Sequence, residues 1–539
     1  MGIFVTVLVG LILRLICIDK AEGLWNDEYM SWMIASQPFT NGFWHSVASQ
    51  CHMPFYYLYL KFFMNFFGQS DLVLRLTSVF SGVLSVVVMY FTGLEKNKKT
   101  AFLLSFFTAI SGFLIYYSQE VRIYSLLFLL SAFSLFFTLK ALKNPNKKNV
   151  SGLIISDVMI LLTHTIGFVY VFFQLIYLSF ELFKQFKKQI IIMWGVILAV
   201  VAGLTPFALK IFTTHTFSQW WDGFTFAKWG YFLTDYFSPC LTNLVSSPEK
   251  FFSNITPMFA LWGIVPTIIA VVWLARALAN SKQNQKLFGI CLGVVFVLTL
   301  AAMFGKLVFT TKYSIEIYPM LFYLIAVGAL KIDKKLLKIS LISVYCVLML
   351  GYNFVSSTAA PRARRAQGNK IPAEFIEHAQ LKSGDFIILE YYPQNRFEKY
   401  IDFSKYNVIS INKGNFPEYL SMNMDYQKAY KNGKRDYKQT FMADKNTYFA
   451  EKLNKEIISK MKPNQNVLVI MLNGVSQYPP ESIKTITSDD ILYEKTPLLY
   501  LVFSHIKSQV FNTMSENLTL TRGESKGDWS ALTFTKLNK

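Results

Sequence analysis

Residues 72–99 of this chain, LVLRLTSVFSGVLSVVVMYFTGLEKNKK, decide how the rest of the sequence is interpreted. The stretch 72–94 is almost uninterrupted apolar sequence, long enough to cross about 30 Å of hydrocarbon as a helix. Lysines follow it at once, and the positive-inside rule places such residues on the cytoplasmic side of a membrane. The stretch therefore predicts a transmembrane helix that ends in the cytoplasm.

Similar segments recur along the first two thirds of the chain. Hydrophobic residues make up 53% of the sequence and charged residues only 16%, which excludes an ordinary soluble globular protein. We predict eleven spans, at residues 2–18, 72–94, 101–117, 121–139, 151–164, 166–183, 190–211, 252–275, 287–304, 315–330 and 339–356. Because basic clusters follow the even-numbered spans, we expect the N-terminus to be cytoplasmic and the C-terminal region extracytoplasmic.

The composition changes after residue 356. Residues 357–370 are small and basic and include glycine and proline, as expected of a linker. Helical patterns follow at residues 372–381 and 446–461. Between and after them lie strand-like runs, at residues 385–390, 406–411, 466–472, 498–503 and 531–535. The sequence therefore predicts a polytopic α-helical membrane domain, residues 1–356, and an extracytoplasmic α/β or α+β domain, residues 357–539.

The first predicted outer loop, residues 19–71, is long and rich in aromatic residues. Its segment 54–67 is amphipathic, which favours a helix lying in the membrane interface. Cys51 in this loop and Cys240 in a later outer loop are candidates for a disulfide, although nothing in the sequence requires one. The net charge of +20 includes no dense basic tract with interleaved aromatics, so nucleic-acid binding is not expected.

Ionisable residues are concentrated near the predicted outer ends of the spans. Asp27 and Glu28 follow the first span, and a carboxylate kept at the edge of hydrocarbon is a candidate for function. The others are Arg14, His52, Arg75, Glu120, Arg122, His164, Lys312 and Glu316. Any one of them alone is better explained as a snorkelling anchor or a satisfied polar group. Together they place acids among cations, which suits a lipid phosphate at headgroup depth.

This combination favours transfer of a sugar from a polyprenyl phosphate. Such a reaction needs a base that takes a proton from the acceptor hydroxyl, and positive charge that stabilises the departing phosphate. A carboxylate at the membrane surface suits the first role. A second acid suits a divalent cation, which prefers oxygen ligands.

Several motifs in the first third of the chain carry a resemblance to a known family. They are Trp25–Glu28, His52–Tyr57, Phe67–Leu76, Tyr116–Ser125 and Thr163–Thr165. They resemble the bacterial protein-mannosyltransferase and aminoarabinose (lipid A) transferase family, multi-pass GT-C glycosyltransferases that use polyprenyl-phosphate-linked sugars. The resemblance implies a GT-C fold in a bacterial cytoplasmic membrane, here with about eleven transmembrane helices. Met53 departs from the proline usual in the family, which leaves the conformation of that loop open.

The resemblance also implies site residues. Asp27 is the expected catalytic base, with Glu28 its neighbour in the same motif. The expected contacts of the donor phosphate are Arg75, Arg122, Lys312, Tyr313 and His52. Candidates for a divalent metal cofactor, Mg²⁺, Mn²⁺ or Zn²⁺, are Glu120 and His164. The implied activity is that of an inverting glycosyltransferase at the outer face, with a polyprenyl-phosphate sugar donor, a lipid, glycan or protein acceptor, and membrane lipids as partners.

Two alternatives stay open at the level of sequence. A lipid-linked sugar flippase or transporter would place ionisable residues near the bilayer midplane, where Asp157 is the best candidate, although a polar seam between helices explains it better. A polysaccharide polymerase or ligase would carry arginine and histidine in a large outer loop, and loop 212–251 has His215 but no arginine. The sequence names neither the sugar nor the acceptor.

Overall fold

The computed structural model describes residues 2–16, 18, 22–39, 41–49, 53–213, 234, 236–237, 260–304, 310–358, 368–389, 397–410, 451–472, 510, 513–526 and 529–537. The chain divides into two compact units. The first consists of Met1–Lys20 and Met30–Arg362, and the second of Ala21–Tyr29 and Ala363–Lys539. His52, Cys51 and Cys240 lie outside the described residues, as does most of loop 212–251.

Among the described residues before residue 360, the regular structure is helical. In chain order they are α1 (Gly2–Leu15), α2 (Asn26–Ser36), α3 (Asn41–Ser49), α4 (Phe55–Phe67), α5 (Asp71–Leu94), α6 (Lys98–Ile110), α7 (Gly112–Ser118), α8 (Tyr124–Lys143), α9 (Lys147–Leu161), α10 (Gly167–Thr213, broken at Phe186), α11 (Val265–Leu278), α12 (Lys282–Met303), α13 (Tyr318–Leu330) and α14 (Lys335–Thr358). A π-helical turn, Ala260–Ile264, precedes α11, and a 3₁₀ segment, Thr311–Ile317, precedes α13.

The helices correspond to the predicted spans. Within the described ranges, eight helical segments are long and apolar enough to cross a membrane, and the bent pair α6 and α7 would make a ninth. The remaining predicted spans, 2–18 and 151–164, form the shorter helices α1 and α9. Large apolar side chains such as Phe80, Phe180 and Phe296 are exposed, as expected where helices face lipid. The protein is therefore a multi-pass membrane protein, as predicted.

The break between α6 and α7 is stabilised by side chains from other helices. Helix α6 ends at Ile110, and the axis of α7 is bent from it by 58°. The last carbonyls of a helix lack partners within it, and in apolar surroundings they need another donor. Arg14 donates to the carbonyl oxygens of Thr108 and Ala109 at 3.2 and 3.1 Å, and Asn353 Nδ2 to that of Ile110 at 2.8 Å. Arg14 is fully buried, so it is a satisfied polar group and not a snorkelling anchor.

Polar caps and a close helix crossing fix other parts of the bundle. Helices α6, α9 and α12 begin with Asn97, Asn146 and Ser281, whose side chains each accept a hydrogen bond from the backbone amide three residues on. Helix α13 packs tightly against α11 at Gly328, where a Cβ would lie 1.7 Å from the carbonyl oxygen of Trp273. Only glycine permits this approach.

The second unit contains a five-stranded mixed sheet. Its elements are α15 (Ile371–His378), β1 (Phe386–Leu389), β2 (Asn407–Ser410), β3 (Asn466–Leu472), β4 (Thr519–Lys526) and β5 (Trp529–Thr535). The strand order is β2-β1-β3-β5-β4; β1 pairs in parallel with β2 and β3, and β5 pairs antiparallel with β3 and β4. Four of the predicted strands are confirmed, residues 498–503 lie outside the described part, and β4 was not predicted.

Both faces of this sheet are covered. Phe386 and Ile388 of β1 point into one apolar cluster, while Ile387 and Leu389 point into the other, which also holds Phe375 of α15. A strand buried on both faces has no solvent-facing positions for polar residues, which explains why the sequence of β1 is apolar throughout. The C-terminal unit is thus a small domain with helices and a sheet, as predicted.

Candidate active site

Helix α2 carries the two adjacent acids in its first turn. The amide of Tyr29 donates to the carbonyl of Trp25 at 2.8 Å, which makes Trp25 the N-cap. Glu28 reaches back and accepts a hydrogen bond from the Trp25 amide at 3.2 Å, the side-chain half of a capping box. Glu28 is buried and caps the start of the helix, whereas Asp27 is only partly buried. The two acids therefore have different surroundings although they are neighbours in sequence.

The other end of α2 is held by a buried lysine. Lys61 of α4 donates to the carbonyl oxygens of Ala35 and Gln37 at 2.9 and 2.6 Å. Its ammonium group also lies 4.9 Å from the centroid of the Phe39 ring. Burial lowers the pKa of Lys61. Lys61 was not predicted as a functional residue; its only signal in the sequence is its place within an aromatic amphipathic segment.

Two of the predicted phosphate contacts converge on one aromatic ring. The guanidinium carbon of Arg122 lies 5.9 Å, and the ammonium nitrogen of Lys312 5.6 Å, from the centroid of the Tyr124 ring. Lys312 also lies 5.5 Å from the ring of its neighbour Tyr313. Arg122 belongs to the short turn between α7 and α8, and Lys312 to the 3₁₀ segment, so the fold brings together cations far apart in sequence. Arg122 Nη1 donates to Ser31 Oγ of α2 at 3.4 Å.

Further predicted residues lie near this cation pair. The amide of Arg122 donates to the carbonyl of Glu120 at 2.8 Å, and Ser78 Oγ of α5 donates to the same carbonyl at 2.6 Å. Arg75, which is almost fully buried, lies one turn before Ser78 on the same face of α5. Glu120 is also buried. The structure therefore places Arg75, Glu120 and Arg122 in one region of the first unit.

His164 forms a buried pair that the sequence did not reveal. Its Nδ1 lies 2.8 Å from Glu316 Oε1, and its ring centroid 6.0 Å from that of Tyr313. The turn that holds His164 also binds α4, because the Phe55 amide donates to the Leu162 carbonyl at 2.9 Å. His164 therefore ties the 3₁₀ segment bearing Lys312 to the loop between α9 and α10. From the sequence, Glu316 was only one of the ionisable residues near the predicted outer ends of the spans.

The predicted metal ligands do not form a complete site in the described ranges. Glu120 and His164 belong to no group of three or more His, Cys, Asp and Glu side chains with metal-binding geometry among those residues. The contact between His164 and Glu316 resembles the carboxylate–histidine pairing that orients metal-binding imidazoles. The residues therefore fit a metal site only in part.

Asp157 belongs to a buried polar cluster between α8, α9 and α10. Ser134 Oγ donates to Asp157 Oδ1 at 2.7 Å, and Gln174 Nε2 donates to Ser134 Oγ at 2.7 Å and to Thr138 Oγ1 at 2.6 Å. These contacts join three helices through side chains. The cluster is the polar seam between helices that was predicted as the other explanation of Asp157.

Comparisons with known proteins agree with this architecture. Residues 51–208 match the family model of dolichyl-phosphate-mannose-protein mannosyltransferase, and a search of curated proteins finds no match. The fold resembles that of ArnT from Cupriavidus metallidurans bound to undecaprenyl phosphate, with a TM-score of 0.53 and 10% identity over 98% of this chain and 97% of that chain. Arabinofuranosyltransferase AftD from Mycobacteria matches with a TM-score of 0.50 and 10% identity, over 100% of this chain and 40% of that chain.

At such low identities the solved structures establish the fold alone. The predicted resemblance is confirmed at that level: residues 51–208 match the dolichyl-phosphate-mannose-protein mannosyltransferase family, and the chain has the fold of the GT-C glycosyltransferases.

Proposed function

We propose that the protein is an inverting glycosyltransferase that moves a sugar from a polyprenyl-phosphate-linked donor to an acceptor hydroxyl or phosphate at the outer face of a bacterial cytoplasmic membrane. The observation that carries this proposal is the convergence of Arg122 and Lys312 on the Tyr124 ring. Two cations in a region of buried acids and tyrosines suit a phosphate ester whose negative charge grows as its bond to the sugar breaks. The ArnT structure, which has the same fold, holds undecaprenyl phosphate.

The reaction is a single displacement at the anomeric carbon. The acceptor oxygen forms a bond to that carbon, and the bond from the carbon to the phosphate oxygen breaks with its electron pair remaining on the polyprenyl phosphate. Asp27 takes the proton of the acceptor. Attack opposite the departing phosphate inverts the configuration.

Asp27 is the better candidate for the base because Glu28 caps the helix. Asp27 lies one turn before Ser31 on the same face of α2, and Ser31 Oγ accepts a hydrogen bond from Arg122. Glu28 holds the helix end that presents Asp27. In this proposal Asp27 acts as the base, and Glu28 positions it by capping the helix.

The donor phosphate is assigned to basic and polar side chains of the first unit. Arg122 and Lys312 carry most of the positive charge, with Arg75 and Tyr313 close in the fold. His52 is proposed for this role from the sequence alone. A divalent cation bound by Glu120 and His164 would add positive charge at the leaving oxygen.

The test is transfer by the purified protein in nanodiscs, with undecaprenyl-phosphate mannose as the first donor and extracted envelope lipids as acceptor. Release of undecaprenyl phosphate is measured, so the acceptor need not be known. Asp27→Asn is expected to reduce kcat by roughly 10²–10⁴-fold, the usual effect of losing a general base. Glu28→Gln keeps an acceptor for the Trp25 amide and is expected to stay within a few-fold of wild type.

Both variants differ from wild type by one neutralised carboxylate, which makes each a matched control for the other. Transfer by Asp27→Asn at the wild-type rate would overturn the assignment of the base. Failure of the wild type to release undecaprenyl phosphate from any of a panel of polyprenyl-phosphate sugars would overturn the proposed function.

A further inference from the structure

The segment that leads into α2 belongs to the second unit, where several polar contacts tie it to the C-terminal part of the chain. Glu22 Oε2 lies 2.5 Å from Lys526 Nζ at the end of β4. The amide of Leu24 donates to the hydroxyl oxygen of Tyr400 at 2.8 Å. The amide of Asn369 donates to the Leu24 carbonyl at 3.0 Å, and that of Lys370 to the Glu22 carbonyl at 3.3 Å. We call residues 22–24 with these four partners the loop clamp.

Two glycines make this contact close. Gly23 has a φ of +85°, and a Cβ there would lie 2.7 Å from the Cβ of Lys370. A Cβ on Gly368 would lie 1.8 Å from the carbonyl oxygen of Glu22. A side chain at either position would push the two backbone segments apart. Leu24, which follows Gly23, is fully buried.

Charge reinforces the loop clamp. Lys526 also lies 2.7 Å from Glu374 Oε2 of α15, so one ammonium group joins three elements. Hydrogen bonds to Glu22 and then Glu374 raise the pKa of Lys526. The ion pairs are partly exposed, so they contribute little to the free energy of folding. Their main effect is to hold the segments in place.

The loop clamp lies immediately before the proposed base. Trp25, the N-cap of α2, follows Leu24, and Asp27 is two residues further. A chain segment of this length reaches only about 10 Å even when extended, and here it is already folded into the first turn of a helix. Fixing the backbone of Leu24 therefore restricts where the Asp27 carboxylate can lie.

We propose that the C-terminal domain acts in transfer as a positioning element, in which Tyr400, Lys526 and Gly368 hold the segment before α2 and so set the position of the Asp27 carboxylate. The proposal rests on the proposed function, because it deepens the role of Asp27. We assign these three residues a positioning role, without contact with the reacting atoms.

The test compares clamp variants with matched substitutions in the same domain. Tyr400→Phe removes one hydroxyl, and Tyr406→Phe is its control. Lys526→Met removes one ammonium group, and Lys460→Met removes the lysine of an exposed pair with Glu456. All are full-length proteins in nanodiscs, and thermal unfolding verifies that each variant is folded.

The expected loss is in kcat, with the KM for undecaprenyl-phosphate mannose unchanged. Tyr400→Phe and Lys526→Met are each expected to reduce kcat about three- to tenfold, the effect of one weakened hydrogen bond on a well-placed group. Gly368→Ala should lower kcat further, by roughly 10²-fold, because the added methyl group displaces the backbone of the segment before α2. Glu22→Gln combined with Lys526→Met should be no worse than Lys526→Met alone.

A second measurement does not depend on activity. Hydrogen exchange of the peptide covering residues 22–31 should become faster in Tyr400→Phe, Lys526→Met and Gly368→Ala, and should stay unchanged in both controls. If the wild type transfers sugar while the clamp variants keep its kcat or its exchange rate, the positioning role is wrong and the proposed function stands. If the wild type transfers no sugar while exchange responds as expected, the proposed function fails and the catalytic role of the loop clamp fails with it.

Discussion

Replacing Arg14 by methionine should destabilise the membrane bundle without touching the proposed chemistry. Arg14 makes three hydrogen bonds to other helices, to the carbonyls of Thr108 and Ala109 and to Ser118 Oγ. Hydrogen bonds between membrane helices contribute roughly 0.6–1.7 kcal/mol each. Loss of the three therefore lowers the free energy of unfolding by about 2–5 kcal/mol. Methionine fills a similar volume, so the cost comes mainly from carbonyls left without donors.

The assay is unfolding in mixed detergent micelles by titration with SDS, followed by tryptophan fluorescence. Arg276→Met is the matched control, because Arg276 is exposed and its partner Asp333 lies at 3.2 Å on the surface. That pair should contribute less than about 1 kcal/mol. Arg14→Lys keeps the charge but loses the planar guanidinium group. Its free energy of unfolding should lie between those of wild type and Arg14→Met. Equal unfolding free energies for Arg14→Met and Arg276→Met would refute the capping role.

Three further predictions concern the site and its surroundings. Lys312→Gln should lower kcat/KM for the donor by roughly 10- to 100-fold, as expected for a charge-assisted contact, while Lys338→Gln has no effect. Glu316→Ala should destabilise the protein by up to about 3 kcal/mol and Glu316→Gln much less, since glutamine still offers an oxygen to His164; equal unfolding curves would count against the pair. Asp157→Asn should leave transfer unchanged because asparagine still accepts the serine hydroxyl, whereas a strong loss of activity would point to a coupled ionisable site.

The sequence predicted the membrane helices well for a physical reason. A backbone in hydrocarbon must satisfy its own hydrogen bonds, so an apolar run of sufficient length has almost no alternative to a helix. Strands β1 and β3 were predictable for another reason: their short, continuous apolar runs indicate strands buried on both faces. Strand β4 was missed because its sequence, Thr519–Lys526, is polar and lies at the sheet edge. Its conformation depends on pairing with β5 and not on its own residues.

The contacts of the site that were not predicted have a different physical reason. The pair of His164 and Glu316, the cap of α6 by Arg14 and the cap of α2 by Lys61 each join segments distant in sequence. No local pattern of residues encodes such a contact. The motifs propose residues for the site, but only the fold shows which of them contact each other.

The adjacent acids show why residue identity alone could not assign the roles of the motif. Successive side chains on a helix point about 100° apart, so the residue that reaches back to the N-cap amide depends on where the helix begins. With Trp25 as N-cap, Glu28 occupies the third helical position and closes the capping box. A start one residue later would move Glu28 out of that position. Because the helix begins after Trp25, the capping acid is Glu28, and the proposed role of base is assigned to Asp27.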